Sequence, residues 1–202
     1  KGVIYLFIFL SYLIGSFNFA YIVASLKNLD ISSSGSGNPG TSNVMRTLGK
    51  KYAAFVLLGD VFKGLIPILL FDQNLIIYGV AAVVGHIYPI FYKFKGGKGV
   101  ATYLGVYIGF TIVNPSGSIL FENLYFLYLN IPILALFYFV IFKISRVSAI
   151  ASLSTVLVSN ALLIYEVDET SDKLLITFIF VLIVFKHSEN IKRLIQGNEN
   201  KF

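Results

Sequence analysis

Apolar stretches of about 20 residues, the length a helix needs to cross the hydrocarbon core of a bilayer, follow one another along almost the whole chain. The polar segments between them are too short to form a soluble domain. Charged residues occupy 13% of the 202 positions, against about 25% in an ordinary soluble domain. The sequence therefore predicts an all-α, polytopic transmembrane helical bundle that forms a single integral-membrane domain over residues 1–202.

We predict seven spans from the positions of these stretches. They are Val3–Leu26, Tyr52–Phe71, Leu75–Tyr92, a segment from Gly99 to Val113, Ile131–Phe142, Ser148–Tyr165 and Lys173–Lys186. The first is too long for the apolar region of a cleaved signal peptide, so we expect it to be retained. Turn-forming residues from Asn114 to Ser118 end the fourth span. Residues 119–130 are apolar but short, and could be an interfacial segment, a re-entrant segment or an eighth span.

The distribution of basic residues predicts the orientation of the spans. With seven spans, 13 of the 16 Lys and Arg residues fall on the side opposite the N-terminus. They are Lys27, Arg46, Lys50, Lys51, Lys93, Lys95, Lys98, Lys143, Arg146, Lys186, Lys192, Arg193 and Lys201. Short loops rich in Lys and Arg face the cytoplasm. We therefore expect the N-terminus outside and the C-terminus inside, and the net charge of +6 does not call for a nucleic-acid partner.

Several kinds of chemistry are disfavoured by the residues present. The chain has no cysteine, which excludes disulfides, thiolate catalysis and cysteine metal sites. The few acidic residues on the predicted cytoplasmic side have no spacing suited to Mg²⁺. The Gly97-Lys98 pair is not followed by Ser or Thr, so a nucleotide-binding P-loop is absent. We expect no metal and no cofactor.

The first polar patch runs from Ser32 to Asn43 and is followed by Arg46. Glycines let successive backbone N–H groups surround an anion, and the hydroxyls, amides and guanidinium add donors for a phosphate. The predicted phosphate-binding residues here are Ser34, Gly35, Ser36, Gly37, Asn38, Gly40, Thr41, Ser42, Asn43 and Arg46. A flexible Gly/Ser linker is the alternative, and Pro39 argues against it.

The second patch runs from Lys93 to Gly99 and leads directly into a helix. Glycine-rich backbone at a helix N-terminus presents N–H groups and a positive dipole end to an anion. The predicted binding residues are Lys95, Gly96, Gly97, Lys98, Gly99 and Thr102. The alternative, a loop that is basic only because it faces the cytoplasm, explains Lys93 but not the glycines.

The third and fourth patches lie near the end of the chain. The third contains Ser145, Arg146 and Ser148, and can also be an ordinary basic loop. The fourth runs from Lys186 to Gly197, where His187 and Asn190 share a helical face. An apolar stripe on the same helix suits the membrane surface, which is the alternative interpretation. The candidates are Arg146, Ser148, His187, Asn190, Lys192 and Arg193.

Two ionisable groups lie inside the second predicted span. Asp60 and Lys63 are three residues apart, a spacing that places an ion pair on one helical face. Charged residues within a span are candidates for function, and a structural pair that supports the first patch is the alternative. We expect His86, near the end of the third span, to form hydrogen bonds in the core.

The segments Ser36–Asn43, Gly96–Thr102 and His187–Leu194 together resemble the three signature loops of the bacterial acyl-phosphate:glycerol-3-phosphate acyltransferases, in order and in spacing. Thr41-Ser42 stands where the family usually has Ala-Thr, which still leaves a hydroxyl. The resemblance implies a multi-pass protein of the bacterial inner membrane with a cytoplasmic active site. It also implies glycerol 3-phosphate and a lipid-like acyl phosphate as substrates, and 1-acyl-glycerol 3-phosphate (lysophosphatidic acid) as product.

The resemblance further implies that Ser36, Arg46, Lys98, Ser148, His187 and Asn190 are catalytic. An acyl phosphate is already activated, so the enzyme's tasks are to hold two anions together and to stabilise developing charge. The base is His187 or the leaving phosphate, and we expect His187 to act as a hydrogen-bond donor. A small transporter for phosphate or phosphate esters is the alternative function, although internal repeats typical of transporters are not evident.

Overall fold

The computed structural model describes residues 2–71, 73–113 and 124–202, and within these ranges every regular element is helical. The helices are α1 (Gly2–Ser16), α2 (Phe19–Leu26), α3 (Thr41–Thr47), α4 (Lys50–Leu70), α5 (Leu75–Ile87), α6 (Val100–Val113), α7 (Leu124–Ser145), α8 (Ser148–Glu166), α9 (Thr170–Lys186) and α10 (Ser188–Ile195). A short 3₁₀ turn occupies Ile90–Tyr92. The predicted all-α class is confirmed.

Several helices are long and apolar enough to cross a membrane. Among the described residues four stretches qualify, namely Gly2–Leu26, Lys50–Leu70, Leu75–Tyr92 and Ser148–Glu166. A fifth is added if α9 and α10, which meet at a bend of 53°, count as one broken span. Val100–Val113 and Leu129–Ser145 are shorter apolar segments. The length and composition of these helices agree with the predicted multi-pass membrane protein, and the number seven remains a prediction.

The first predicted span is two helices, with a break at Phe17 and Asn18. The Asn18 carboxamide oxygen accepts hydrogen bonds from the backbone N–H groups of Ala20 at 3.0 Å and Tyr21 at 3.1 Å. This is an ordinary N-cap, which begins a new helix. Because Asn18 is fully buried, the break lies inside the protein and positions the chain that follows α2.

Most other predicted boundaries lie within three residues of those in the structure, but the fifth span is predicted to begin at Ile131 and its helix begins at Leu124. The third span ends as a helix at Ile87, because Pro89 disfavours helical backbone at Tyr88. Residues 124–130 form the first turns of α7 and are not a separate span. The break predicted from Asn114 to Ser118 and residues 119–123 lie outside the described residues.

The chain divides into two compact units, residues 1–109 and 110–202. In the first unit, small residues let helices approach closely. A Cβ atom on Gly64 would collide with the Thr102 carbonyl, and one on Gly105 would collide with that of Val61. Such contacts between small residues are typical of membrane helices, where the packing of backbones stabilises association.

The second unit places α8 between α7 and α9. Apolar side chains such as Leu157, Phe178 and Val181 are more than half exposed in this unit. In a bilayer these surfaces face lipid, so their exposure agrees with membrane-crossing helices.

Candidate active site

The segment from Asn28 to Gly40, the first loop, is held in place by Asn43 on α3. The Asn43 oxygen accepts from the backbone N–H of Ser36 at 2.8 Å. Its amide nitrogen donates to the carbonyls of Ser34 at 2.9 Å and Ile31 at 3.3 Å. Ile31 and Val44 are fully buried in an apolar cluster with α2 and α4. The first loop is therefore attached at several points, unlike a free linker.

A turn at Asp30 organises the start of the first loop. Its carboxylate accepts hydrogen bonds from the backbone N–H of Ser32 at 2.9 Å and from the Ser32 hydroxyl at 2.7 Å. The Ser34 hydroxyl donates to the Asp30 carbonyl at 2.7 Å. Because Ser32 stabilises the ionised form, the pKa of the exposed Asp30 carboxyl lies below its ordinary value.

Gly35 shows why the loop needs glycine. Its φ is +59°, and a Cβ atom would collide with the carboxamide oxygen of Asn43. With Gly35 close to the Asn43 carboxamide, the backbone N–H of Ser36 donates to Asn43 and the Ser36 side chain is exposed. Gly37, Asn38 and Gly40 complete the loop, and Thr41, Ser42, Asn43 and Arg46 lie on α3.

The segment from Lys93 to Gly99, the second loop, folds back against the end of α5. The backbone N–H of Gly97 donates to the carbonyl of His86 at 3.2 Å. A Cβ atom on Gly97 would collide with the His86 ring and lie 3.0 Å from the Pro39 carbonyl oxygen. Gly97 thus touches both α5 and the first loop. The structure brings the first two predicted patches together.

The residues of the second loop and of the first turn of α6 differ in their exposure to solvent. Lys95 is exposed, Lys98 is partly exposed between two buried glycines, and Gly96 packs against the carbonyls of α5. Thr102, in the first turn of α6, is fully buried. Gly99 has a φ of +90° and connects the second loop to α6.

Two threonine hydroxyls stand out among the buried polar atoms of this unit. The hydroxyl oxygens of Thr41 and Thr102 are buried and have no hydrogen-bond partner among the described residues. Buried hydroxyls are normally paired. Thr41 follows Gly40 and Thr102 follows the second loop, so both belong to the segments predicted to hold phosphate.

Ionisable groups lie directly behind the second loop. Asp60 and Lys63 form the ion pair expected from their spacing, and His86 lies beside Asp60. Asp60 lies about 15 Å along α4 from Lys50, at a rise of about 1.5 Å per residue. Because Gly97 lies against His86, and His86 lies beside Asp60, the second loop extends past the first turns of α4 and packs among the helices. Sequence reasoning missed Asn18, whose only signal was an amide within an apolar stretch.

In the second unit, Arg146 and Ser148 lie where α7 meets α8. Arg146 is exposed with a φ of +56°, and its carbonyl accepts from the backbone N–H of Phe202 at 2.9 Å. Ser148 is partly buried and is the first residue of α8. The Phe202 ring packs against Phe142 at 5.5 Å between centroids. Residues near the end of the chain thus contact the third patch.

His187 lies at the bend between α9 and α10 and is buried. Its ring nitrogen Nδ1 is 2.8 Å from the carbonyl oxygen of Ile183. A carbonyl can only accept, so Nδ1 carries the hydrogen and the neutral ring has its lone pair on Nε2. Neutral His187 is then an acceptor at Nε2. The donor role expected from the sequence requires the protonated ring.

Asn190 and Arg193 share one carboxylate partner. The Asn190 amide nitrogen donates to Glu199 Oε1 at 2.8 Å, and Arg193 Nε donates to Glu199 Oε2 at 2.8 Å. Arg193 also approaches Glu189 at 3.9 Å. A phosphate bound by Arg193 would compete with these carboxylates. Lys192 is exposed on the same helix, and sequence reasoning did not include Glu199.

Carboxylate and imidazole groups are too dispersed in the described ranges to suggest a metal site. No three of these side chains come together there. The basic groups Lys93, Lys95 and Lys98 of the second loop and Arg46 of α3 outnumber the one carboxylate of the two loops, that of Asp30. The loops therefore suit an anionic ligand.

Comparison with known proteins agrees with this chemistry. The family model described as glycerol-3-phosphate acyltransferase matches residues 5–197. A glycerol-3-phosphate acyltransferase of Hydrogenobaculum sp. is 41% identical, and the match covers 95% of this chain and 93% of that protein. One from Aquifex aeolicus is 38% identical over 95% of each chain.

The fold is also similar to solved structures. The crystal structure of PlsY (YgiH), an integral membrane glycerol 3-phosphate acyltransferase, in its glycerol 3-phosphate form superposes with a TM-score of 0.81. It is 35% identical, and the match covers 98% of this chain and 94% of that one. The lysophosphatidic acid form gives a TM-score of 0.79 with the same identity and coverage. This chain therefore belongs to the glycerol-3-phosphate acyltransferase family and is a multi-pass membrane acyltransferase.

Proposed function

We propose that the chain transfers an acyl group from an acyl phosphate to glycerol 3-phosphate, and releases 1-acyl-glycerol 3-phosphate (lysophosphatidic acid) and inorganic phosphate. The contact of Gly97 with Pro39 is the observation that carries this proposal, because it joins two loops suited to phosphate. Both substrates carry phosphate groups that repel each other, and neighbouring anion-binding loops offset that repulsion.

The proposed phosphate ligands of the first unit come from both loops. Arg46 supplies a fork of N–H donors, and Lys98 supplies a point charge. The Thr41 hydroxyl supports this assignment, because a bound phosphate would give a partner to a buried oxygen that has none among the described residues. The other ligands we propose in this unit are Ser34, Gly35, Gly37, Asn38, Gly40, Ser42, Asn43, Lys95, Gly96, Gly97, Gly99 and Thr102, and those we propose in the second unit are Arg146, Lys192 and Arg193.

The reaction needs no covalent enzyme intermediate, because an acyl phosphate is a mixed anhydride. The glycerol hydroxyl oxygen attacks the acyl carbon, the bond from that carbon to the phosphate oxygen breaks, and the phosphate leaves with the electron pair. We propose that the hydroxyl proton ends on the departing phosphate. Ser36, Ser148 and Asn190 would then hold the phosphate or the reacting oxygen.

For His187 we propose that Nε2 accepts a hydrogen bond from the attacking hydroxyl and orients it. The Nδ1 contact with Ile183 supports this choice, since it leaves the neutral ring an acceptor at Nε2. This role replaces the donor expected from sequence. The hydrogen bond orients the hydroxyl before attack, and the proton passes from the hydroxyl oxygen to the departing phosphate, not to the ring, as the acyl–phosphate bond breaks.

We further propose seven spans, an external N-terminus and an active site on the cytoplasmic face of a bacterial inner membrane. The charge distribution supports this orientation. We propose that residues 1–202 act as one catalytic domain that needs no metal and no cofactor, with membrane lipid as its surroundings.

The choice of acyl donor tests this function. Purified protein in detergent is offered glycerol 3-phosphate together with acyl phosphate, acyl-CoA or acyl carrier protein. We expect lysophosphatidic acid only with acyl phosphate, together with one equivalent of inorganic phosphate. Product formation from acyl-CoA at a similar rate would contradict the donor assignment. Turnover without a sealed compartment also separates an enzyme from a transporter.

A further inference from the structure

A series of buried polar contacts lies behind the two loops, and the proposed chemistry assigns no role to its side chains, those of Asn18, Asp60, Lys63 and His86. It begins at the break in the first span. Because Tyr21 gives its backbone N–H to the Asn18 side chain, the carbonyl of Phe17 loses its helical donor. The Lys63 ammonium donates to that carbonyl at 2.7 Å. A carbonyl freed within a membrane requires a donor, so Lys63 stabilises the break.

Lys63 is paired with Asp60, one turn earlier on α4. The Asp60 oxygen Oδ1 lies 2.9 Å from Lys63 Nζ and 3.6 Å from Nδ1 of His86 on α5. Asp60, Lys63 and His86 are only 1%, 2% and 3% exposed. Buried charges in a membrane protein are costly unless they are paired. Asp60 therefore joins α4, α5 and, through Lys63, the break in the first span.

The series continues from His86 into the loops. The His86 carbonyl accepts from Gly97, and Gly97 lies against the carbonyl of Pro39. That carbonyl in turn accepts a hydrogen bond from the Asn18 amide nitrogen at 3.3 Å. Asn18 is the residue at which the first span breaks. The contacts therefore close on themselves, and both loops are part of the closed series.

We propose that Asp60 is a positioning residue, which acts through Lys63 and His86 to set the spacing between the first and second loops at Pro39 and Gly97. A pair that serves only to hold α4 in place would affect stability and leave this spacing unchanged. The expected effect on the KM for glycerol 3-phosphate rests on the proposed function. The expected effect on the distance between the two loops is independent of that function.

Loop spacing can be measured directly, because the chain contains no cysteine. Cysteines at Ser33 and Lys93, both exposed, place one spin label on each loop. Pulsed electron spin resonance on the purified protein should give a narrow distance distribution. With Asp60→Asn, which leaves Lys63 without its charged partner, we expect the distribution to broaden.

Gly79→Ala is the matched control on α5. A methyl group there would collide with the Val106 side chain, so packing is disturbed at a distance from the polar series. We expect lower thermal stability with a distance distribution and a KM for glycerol 3-phosphate like those of the native chain. Broadening equal to that of Asp60→Asn would overturn the inference.

Asn18→Ser tests the same series without altering a charge. Serine caps a helix about as well as asparagine but lacks the amide donor to the Pro39 carbonyl. We expect a modest loss of stability from the Pro39 carbonyl left without this donor, a broader distribution, and a KM for glycerol 3-phosphate raised about tenfold with a smaller effect on kcat. Native distributions in both Asp60→Asn and Asn18→Ser would overturn the inference. If the variants broaden the distribution but the unsubstituted protein shows no acyl transfer, the spacing role is supported and the proposed function is rejected.

Discussion

The Asn190 amide donates a hydrogen bond to the Glu199 carboxylate across 2.8 Å, and the second oxygen of that carboxylate holds Arg193. The Glu199 side chain is only 5% exposed, whereas that of Glu189, which also approaches Arg193, is 89% exposed. The two carboxylates beside Arg193 therefore differ in burial. Replacing each in turn distinguishes a carboxylate that positions Asn190 from one that only contributes charge.

Glu199→Gln should lower kcat about tenfold, because a neutral amide holds Asn190 and Arg193 more weakly than a carboxylate does. Glu189→Gln is the control and should change kcat little, since an exposed ion pair contributes little. Steady-state kinetics with acyl phosphate and glycerol 3-phosphate measures both. Equal losses in the two variants would mean that only the net charge around Arg193 matters.

Single cysteines should report the predicted topology. We expect cysteines at Ser36, Lys95 and Asn198 to react with a membrane-impermeant reagent only from the inside, and one at Asp168 only from the outside. All four positions are exposed. Gly97 is unsuitable, because a side chain there would collide with His86. Labelling of Asp168 and Lys95 from the same side would refute the seven-span orientation.

The sequence predicts most helix boundaries and the ion pair of Asp60 with Lys63, because both follow from local spacing. It does not predict the partners that come from other helices. The carbonyl of Phe17, the ring of His86 and the carboxylate of Glu199 meet their partners only through tertiary packing. The break at Asn18 is missed for a related reason. One buried amide barely changes the hydropathy of the stretch, but it can cap a helix.

Activity should be unchanged by metal chelators and by thiol reagents. The chain has no cysteine, and the proposed chemistry uses only hydrogen-bond donors, charge and the substrate's own phosphate. Turnover is measured before and after treatment with EDTA, with re-addition of Mg²⁺ as the control. Loss of activity that Mg²⁺ restores would indicate a metal-dependent transferase.

His187→Gln should retain clearly more activity than His187→Ala. The glutamine oxygen can accept a hydrogen bond from the attacking hydroxyl but cannot take its proton, and alanine can do neither. Because protonation removes the Nε2 lone pair, kcat/KM of the native enzyme should fall as the ring becomes protonated at low pH. The glutamine variant should lack that dependence. If both variants are equally inactive, His187 is the general base.

If individual charges, Lys98 of the second loop and Arg46 of α3, bind the substrate phosphates, then two lysines within the second loop should differ in their effect on catalysis. We expect Lys98→Ala to lower kcat/KM about 100-fold, since a charge-assisted phosphate contact in a partly dry site is worth about 1.5–3 kcal/mol. Arg46→Ala should have a similar effect. Lys93→Ala removes the same charge from an exposed position and should leave kcat/KM within about twofold of native. Equal losses at Lys93 and Lys98 would contradict this binding role, because the second loop would then act through bulk charge alone.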